Sequence, residues 1–284
     1  MHQISIVVPS YNHAGYIEAC LDSVYFQDYG NMEIIIVDDC STDGSPEVIE
    51  RWLAGVASDK TSHVVDLDAE TGRLIRAECP RYGKKRDIVF LRNKRNIGST
   101  ATYNRGFRAA RGEYCSFVVS DDICHPQLFS TLAAPLAEGL ADFAYADMFI
   151  VDDAMRILRE FRLPDYDFEA SFCRWYLCGV ATLYRRELHE RFGYYDETSK
   201  ADDHECYLRF AMNGARFMHV PKTLYSVRDH QGRAEGLHEP DRFNALLEAS
   251  RELTLKARKW LAESRNGQEA AVGGPVLQNH SHGE

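Results

Sequence analysis

Ile4-Ser5-Ile6-Val7-Val8-Pro9-Ser10-Tyr11-Asn12 begins as a β-branched apolar run of strand length and is broken at Pro9-Ser10. Ile17, Cys20, Leu21 and Val24 then recur at helical spacing. A second apolar strand, Glu33 to Val37, stops at Asp38-Asp39. Ser45 caps the next helix, with Pro46 at its first position and Val48, Ile49, Trp52 and Leu53 as its buried stripe. Residues 58–86 interrupt the rhythm: Val64 to Asp68 and Arg73 to Arg76 flank Ala69-Glu70-Thr71-Gly72 and read as an inserted hairpin. The pattern resumes with a strand from Ile88 to Leu91, a loop through Gly98, and a helix from Ser99 to Arg111 that Gly112 stops. Tyr114 to Val119 is the next strand, ending at Ser120-Asp121-Asp122. Helix-separated apolar strands predict an α/β fold with a mainly parallel, doubly wound sheet, whose ligands bind beyond the strands' carboxyl ends. Both acidic pairs fall there.

Beyond residue 125 the pattern turns mixed. A helix over 126–138 precedes a hairpin of Phe143 to Ile150 and Arg156 to Phe161 around Asp152-Asp153. Phe168 to Leu177 reads as a helix, Val180 to Tyr184 as a strand, Glu205 to Met212 as a short helix and Ala215 to Val220 as a late strand. From Pro240, Phe243, Leu246, Leu247, Ser250, Leu253, Ala257, Trp260 and Leu261 describe one amphipathic helix. Its stripe fits packing on the domain or on a second subunit, as in a homodimer, better than packing on a membrane. The expected organisation is a first half over 1–125 with the 58–86 insertion, a second half of the same domain over 126–235, the helix within 236–264, and a Gly-, Gln-, Asn- and His-rich tail over 265–284 read as disordered.

With 284 residues, 45% of them hydrophobic, the chain can build a real core. A net charge of −10 argues against a nucleic-acid partner, which usually demands a basic face. The local basic clusters, Lys84-Lys85-Arg86 and Arg92 with Lys94-Arg95, read as solvated faces. The opening residues resemble neither a signal peptide nor a membrane anchor, and no run reaches about 18 apolar residues. The eight cysteines form no Cys-x-x-Cys pair and suit a reducing compartment. The expectation is a cytoplasmic protein, with the basic clusters and the last helix as the surfaces for any peripheral membrane contact.

Adjacent carboxylates on a loop repel unless a cation or hydrogen-bond donors compensate. Asp121-Asp122 therefore suits a divalent ion, Mn2+ or Mg2+, that bridges to phosphates; its competing reading is a turn and helix cap. Asp38-Asp39 carries the same two readings, with Asp43-Gly44-Ser45 beside it as a turn and cap. Tyr11 from the first strand would join both pairs in one crevice, an aromatic face beside carboxylates suited to a base and ribose. No Gly-x-Gly-x-x-Gly and no Gly-Lys-Ser/Thr loop is present to hold phosphates.

Four motifs in order give the chain its resemblance to the family 2 glycosyltransferases of the GT-A fold. They are Val7-Val8-Pro9-Ser10-Tyr11-Asn12, Val37-Asp38-Asp39-Cys40-Ser41-Thr42-Asp43-Gly44-Ser45, Asn96-Ile97-Gly98 followed by Asn104-Arg105-Gly106, and Ser120-Asp121-Asp122. The match spans residues 4 to 233. The resemblance implies a nucleoside-diphosphate-sugar donor, a UDP-sugar in preference, bound by the 1–125 half, and a saccharide or lipid-linked acceptor on the 126–235 half. Pro9, Tyr11, Asn12, Asp39, Asn96, Gly98 and Asn104 fall on the donor side, Asp121 near the ribose or sugar, and Asp122 on the metal. The family's usual Asp-x-Asp-Asp reads Val119-Ser120-Asp121-Asp122 here, without its leading carboxylate.

Gly179 to Arg186 and Phe192 to Glu197 resemble the segment preceding the family's catalytic base, and Ala201-Asp202-Asp203-His204-Glu205 its Glu-Asp motif, with Asp202 replacing Glu. Asp203 is then the general base, with Asp202, His204 and Glu205 on the acceptor side; the competing reading is a helix cap. His230 matches a residue that reaches the metal or diphosphate in many relatives, and Arg228 would bind phosphate. The implied reaction is a single inverting displacement, in polysaccharide or glycan biosynthesis. Two rivals are a sugar-phosphate nucleotidyltransferase, disfavoured because Ser10-Tyr11-Asn12-His13-Ala14 lacks basic residues, and a non-catalytic nucleotide-sugar-binding module.

Overall fold

The computed structural model describes residues 1–58, 62–175, 178–230 and 240–272. The first half runs β1 (Ile4–Ser10), α1 (Ile17–Tyr25), β2 (Met32–Asp38), α2 (Ser45–Ser58), β3 (Ser62–Leu67), β4 (Leu74–Cys79), β5 (Asp87–Arg92), α3 (Ser99–Ala109) and β6 (Tyr114–Phe117). β1 pairs in parallel with both β2 and β6, and β2 with β5. All seven residues of β1 and of β2 are buried, as expected of parallel strands covered by helices on both faces. β3 and β4 form the expected hairpin as a separate two-stranded sheet.

The second half continues the same sheet with β7 (Ile123–Cys124), α4 (Leu128–Ala137), β8 (Phe143–Val151), β9 (Ile157–Phe161), β10 (Thr182–Arg185), α5 (Glu187–Phe192), α6 (Asp202–Met212), β11 (Phe217–Arg228) and α7 (Pro240–Val272). Among the described residues the order is β5-β2-β1-β6-β10-β8-β11-β7, with β9 on β8. β10 is antiparallel to β6 and β8, whereas β11 runs parallel to β8. One sheet thus spans both halves, parallel first and mixed later.

Several boundaries differ from those expected. The helix over 168–177 is a π-helical turn, Glu169–Arg174, and residues 176 and 177 lie outside the described residues. α6 starts at Asp202, three residues early, and β11 is twice the expected length, continuing through Pro221 to Arg228 with register irregularities near Thr223. β7 and α5 were not foreseen, being too short to show a period. α7 runs on to Val272, so residues 265–272 of the expected tail are helical; 273–284, like 231–239, lie outside the described residues. The α7 stripe packs on the chain itself, against α6 and the π-helical turn, with Ser250, Thr254 and Ala257 buried. Among the described residues no helix is long and apolar enough to cross a membrane.

The Asn104-Arg105-Gly106 motif is structural. Asn104 Nδ2 donates to the Tyr195 carbonyl and to Glu197, and its Oδ1 accepts from the Tyr195 amide, which ties α3 to the segment before α6. Arg105 donates to Asn93 Oδ1. Gly106 lies against β1, where a Cβ would run into Cγ1 of the buried Val7. Gly106→Ala should therefore destabilise the protein by ~1–3 kcal/mol, read as a lower midpoint in urea, because a central strand has no room to retreat.

Candidate functional site

The carboxyl ends of β1, β2 and β5 meet in register: Ser10 is opposite Asp38, and Asp38 opposite Arg92. Asp39, 2% exposed, organises the loop that follows β5. Its Oδ1 accepts from Asn93 Nδ2 at 2.7 Å and the Ile97 amide at 2.9 Å, and its Oδ2 from the Gly98 amide at 2.9 Å. Gly98 has φ +90°, a conformation few other residues tolerate, which lets the chain turn directly into α3. Asn96 Oδ1 accepts from the same amide. On the loop after β1, Tyr11 is 44% exposed. Asn12, at φ +55°, is anchored to Ser41 and Thr42. An exposed aromatic ring on an anchored loop offers a face on which a planar group can stack.

The next carboxyl end, that of β6, leads to the acidic pair. Asp122 is fully buried, accepting from the Arg228 amide at 2.8 Å and from the Tyr225 hydroxyl at 3.1 Å. Asp121 turns the other way. Its Oδ2 lies 2.9 Å from His230 Nε2 and 4.0 Å from His13 Nε2, while its buried Oδ1 has no hydrogen-bond partner. The ligand atoms of His13, Asp121 and His230 all lie within 4.8 Å of one another. Around them, the Tyr16 ring lies 4.7 Å from that of His230, tilted by 39°, and its hydroxyl donates to Asp153. Burial first, and that hydrogen bond second, push the Tyr16 hydroxyl above its ordinary pKa. A buried carboxylate with one oxygen turned to two imidazoles and the other without a partner fits a divalent cation and its oxygen- and nitrogen-ligand chemistry.

Beyond β11 opens a cleft of about 390 Å³, walled by Met148, Phe161, Val227 and Trp175 and, from α7, by Leu246 and Leu247. Asp202, Asp203 and His204, from the first turn of α6, line it. Asp202 Oδ2 accepts from Thr100 Oγ1 at 2.6 Å and its Oδ1 from the Asp203 amide at 2.9 Å. Burial pushes its carboxyl above the usual range in spite of those bonds. Burial also lowers the His204 imidazole to about 4, so it is neutral near pH 7. Through Thr100 at the start of α3, this cleft adjoins the loop that Asp39 holds.

The structure joins Asp39 to Gly98 and, through that amide, to Asn96, ties Asn12 to the loop after β2, sets Asp121 beside His230, and puts Asp202, Asp203 and His204 on the cleft. Other expected site residues take different roles. Asp122 is saturated by β11 donors, so the carboxylate turned toward the imidazoles is that of Asp121. Arg228 spends its Nε on the Asp121 carbonyl and an Nη on that of Asp153, at 2.9 and 3.0 Å, and lies over the Tyr16 ring. Through these bonds it clasps β11 to two loops. Asn104 is the clamp already described, its side chain held by Tyr195 and Glu197. Glu205 pairs with Arg209, which holds the carbonyls of Phe192, Gly193 and Tyr194, and is not on the cleft. Pro9 is a buried rung of β1 opposite Val37. Asp152 makes the expected turn, accepting from the Ala154 and Arg156 amides, but Asp153 faces Tyr16. Sequence reasoning missed His13, although an imidazole two residues beyond Tyr11 on the same loop was a usable signal. It also missed Trp175 and the α7 wall of the cleft, which only the folded chain assembles.

Residues 5–77 and 70–193 match the family described as Glycosyl transferase family 2. The Streptococcus pneumoniae glycosyltransferase GlyA is 24% identical over 90% of this chain, which spans 35% of GlyA's length. GlyG of the same organism is 23% identical over 81% of this chain and 71% of its own length. Among solved structures, S. aureus TarS in complex with UDP-GlcNAc superposes with a TM-score of 0.61 at 21% identity, over 81% of this chain and 60% of the TarS chain. The mannosyltransferase PcManGT from Pyrobaculum calidifontis, in complex with GDP-Man and Mn2+, gives 0.59 at 22% identity, over 96% of this chain and 76% of the PcManGT chain. The two structures share this fold, the GT-A arrangement that the motifs implied.

Proposed function

The chain belongs to glycosyl transferase family 2, and on that premise we propose that it moves a sugar from a nucleoside-diphosphate sugar to a hydroxyl of a saccharide or lipid-linked acceptor, with inversion. The observation that carries this reading is the convergence of three features at one end of the sheet. They are an exposed ring on the loop after β1 with a polar loop held by Asp39 after β5, a buried carboxylate with one oxygen turned to two imidazoles and the other without a partner, and a cleft with an aspartate at its wall.

Tyr11 stacks on the base, while Asp39 keeps the 93–98 loop in shape beside it. Asp121 and His230 hold the divalent cation, which when bound supplies positive charge against the departing diphosphate. Asp203 accepts the proton of the acceptor hydroxyl as that oxygen bonds to the anomeric carbon. The bond from that carbon to the diphosphate oxygen breaks, and its electron pair leaves with the nucleoside diphosphate. Attack opposite the leaving group inverts the centre. Trp175 and the apolar walls exclude water, which would otherwise compete as acceptor. A UDP-sugar is the favoured donor, with polysaccharide or glycan assembly as the setting. The TarS complex holds UDP-GlcNAc and the PcManGT complex GDP-Man, so uridine and guanosine are the bases to separate.

Thermal melting of the full chain with UDP- and GDP-sugars, each with and without Mn2+, tests this directly. A uridine nucleotide sugar at 100 times its Kd should stabilise the protein by ~2.7 kcal/mol, and only when Mn2+ is present. No shift with any nucleotide sugar, or pyrophosphate release from a nucleoside triphosphate and a sugar phosphate, would sink the proposal.

A further inference from the structure

We infer that His13 is a third ligand of the cation, so that two imidazoles and one carboxylate hold it. This rests on the metal reading above. The family pattern's leading aspartate is Val119 here, leaving Asp121 as the one carboxylate turned to the site. A single carboxylate would grip a divalent ion weakly, and the loop after β1 brings an imidazole to the same place.

Three observations support His13 beyond proximity. First, Asp121 Oδ2 lies 2.9 Å from His230 Nε2 and 4.0 Å from His13 Nε2, and the buried Oδ1 of the same carboxylate has no hydrogen-bond partner, which leaves that group an oxygen to offer a cation. Second, His13 Nδ1 lies 2.7 Å from Ser120 Oγ, and Ser120 is 1% exposed. Metal-binding histidines commonly use one ring nitrogen on a supporting group, which fixes the tautomer and presents the other. Here the presented atom is Nε2, the one turned to Asp121. Third, the His13 backbone is tied down: its amide donates to Ser45 Oγ at 2.9 Å, and the Ala14 amide to Asp43 Oδ2 at 2.9 Å. The ring therefore reaches the site from a held loop, which keeps the ordering cost of ligation low.

The consequence is a metal preference. Mg2+ takes oxygen ligands and sheds water reluctantly, whereas imidazole suits first-row transition ions. With two imidazoles, the site should select Mn2+ over Mg2+. His13 is also two residues from Tyr11, which places the cation and the base platform on one loop and couples their binding reciprocally.

Mn2+ titration of the full chain, followed by electron paramagnetic resonance, tests the assignment without any turnover. Echo-envelope modulation should count two directly bound imidazole nitrogens in the wild type and one in His13→Ala and His13→Gln. Each variant should bind Mn2+ about tenfold or more weakly. Thermal melting reports whether a variant folds, and the wild-type nitrogen count decides the matter by itself if neither does. One imidazole nitrogen in the wild type, or unaltered Mn2+ affinity in both folded variants, overturns the role of His13 and leaves the cation reading standing. A wild type that binds no Mn2+, even with UDP present, overturns both.

Discussion

Asp203→Asn is expected to slow sugar transfer by about 10²–10⁴-fold while leaving the donor's dissociation constant within about twofold. The amide has nearly the carboxylate's shape but cannot take a proton, and Asp203 lines the cleft proposed for the acceptor. The choice of Asp203 over its neighbours follows from their surroundings. Asp202 already accepts from Thr100 and from the Asp203 amide, and burial biases it toward the protonated form. His204 is buried and, lowered to about 4, could in principle act as a neutral base. So low a value makes it a poor proton acceptor near pH 7. Asp203 stands in the first turn of α6 and lines the cleft. Single-turnover assays that separate chemistry from binding provide the check. Asp202→Asn should act mainly by loosening the link to Thr100, costing far less in rate. Full activity in Asp203→Asn would remove it as the base.

The second large effect separates the paired aspartates. Asp121→Asn should abolish Mn2+-dependent stabilisation by the donor and lower transfer by ~10³-fold, about 4 kcal/mol of the several that a Lewis-acid ion supplies. The melting point of the metal-free protein should hardly move, since Asp121's side chain is not part of the clasp that joins β11 to the loop. Asp122→Asn should do the reverse. Asp122 accepts from the Arg228 amide and the Tyr225 hydroxyl, so this change should destabilise the metal-free fold by ~1–3 kcal/mol. Mn2+ binding should survive in the folded fraction. Calorimetric Mn2+ titration and urea melts on both variants give the comparison, and loss of Mn2+ binding only in Asp122→Asn would reverse the assignment.

Much of the site was legible because burial writes itself into composition. β1 and β2 are unbroken apolar runs since both faces are covered, and the first polar residues after such runs must lie at strand ends. That logic placed Tyr11, Asp39 and Asp121-Asp122 at the crevice. It failed where one position decides orientation. Asp121 and Asp122 have the same chemistry and adjacent places, yet one meets imidazoles and the other the donors of β11, which depends on a strand more than 100 residues away in sequence. Nor could the sequence show that Tyr195 with Glu197, and Arg209, bond to the polar atoms of Asn104 and Glu205.

From the residues alone followed the parallel first half, the strand-end acids, the inserted hairpin, the C-terminal amphipathic helix and the family. These rest on periodicity and on the demand that buried strands be apolar, which act within short stretches of chain. The tertiary structure decided which carboxylate faces the imidazoles, that His13 joins them, and that α7 walls the cleft beside Asp203. Those outcomes depend on where long-range pairings, β6 against β1 and β7 against β11, point side chains that are chemically alike. Direction in space belongs to the packed chain, and no local pattern encodes it.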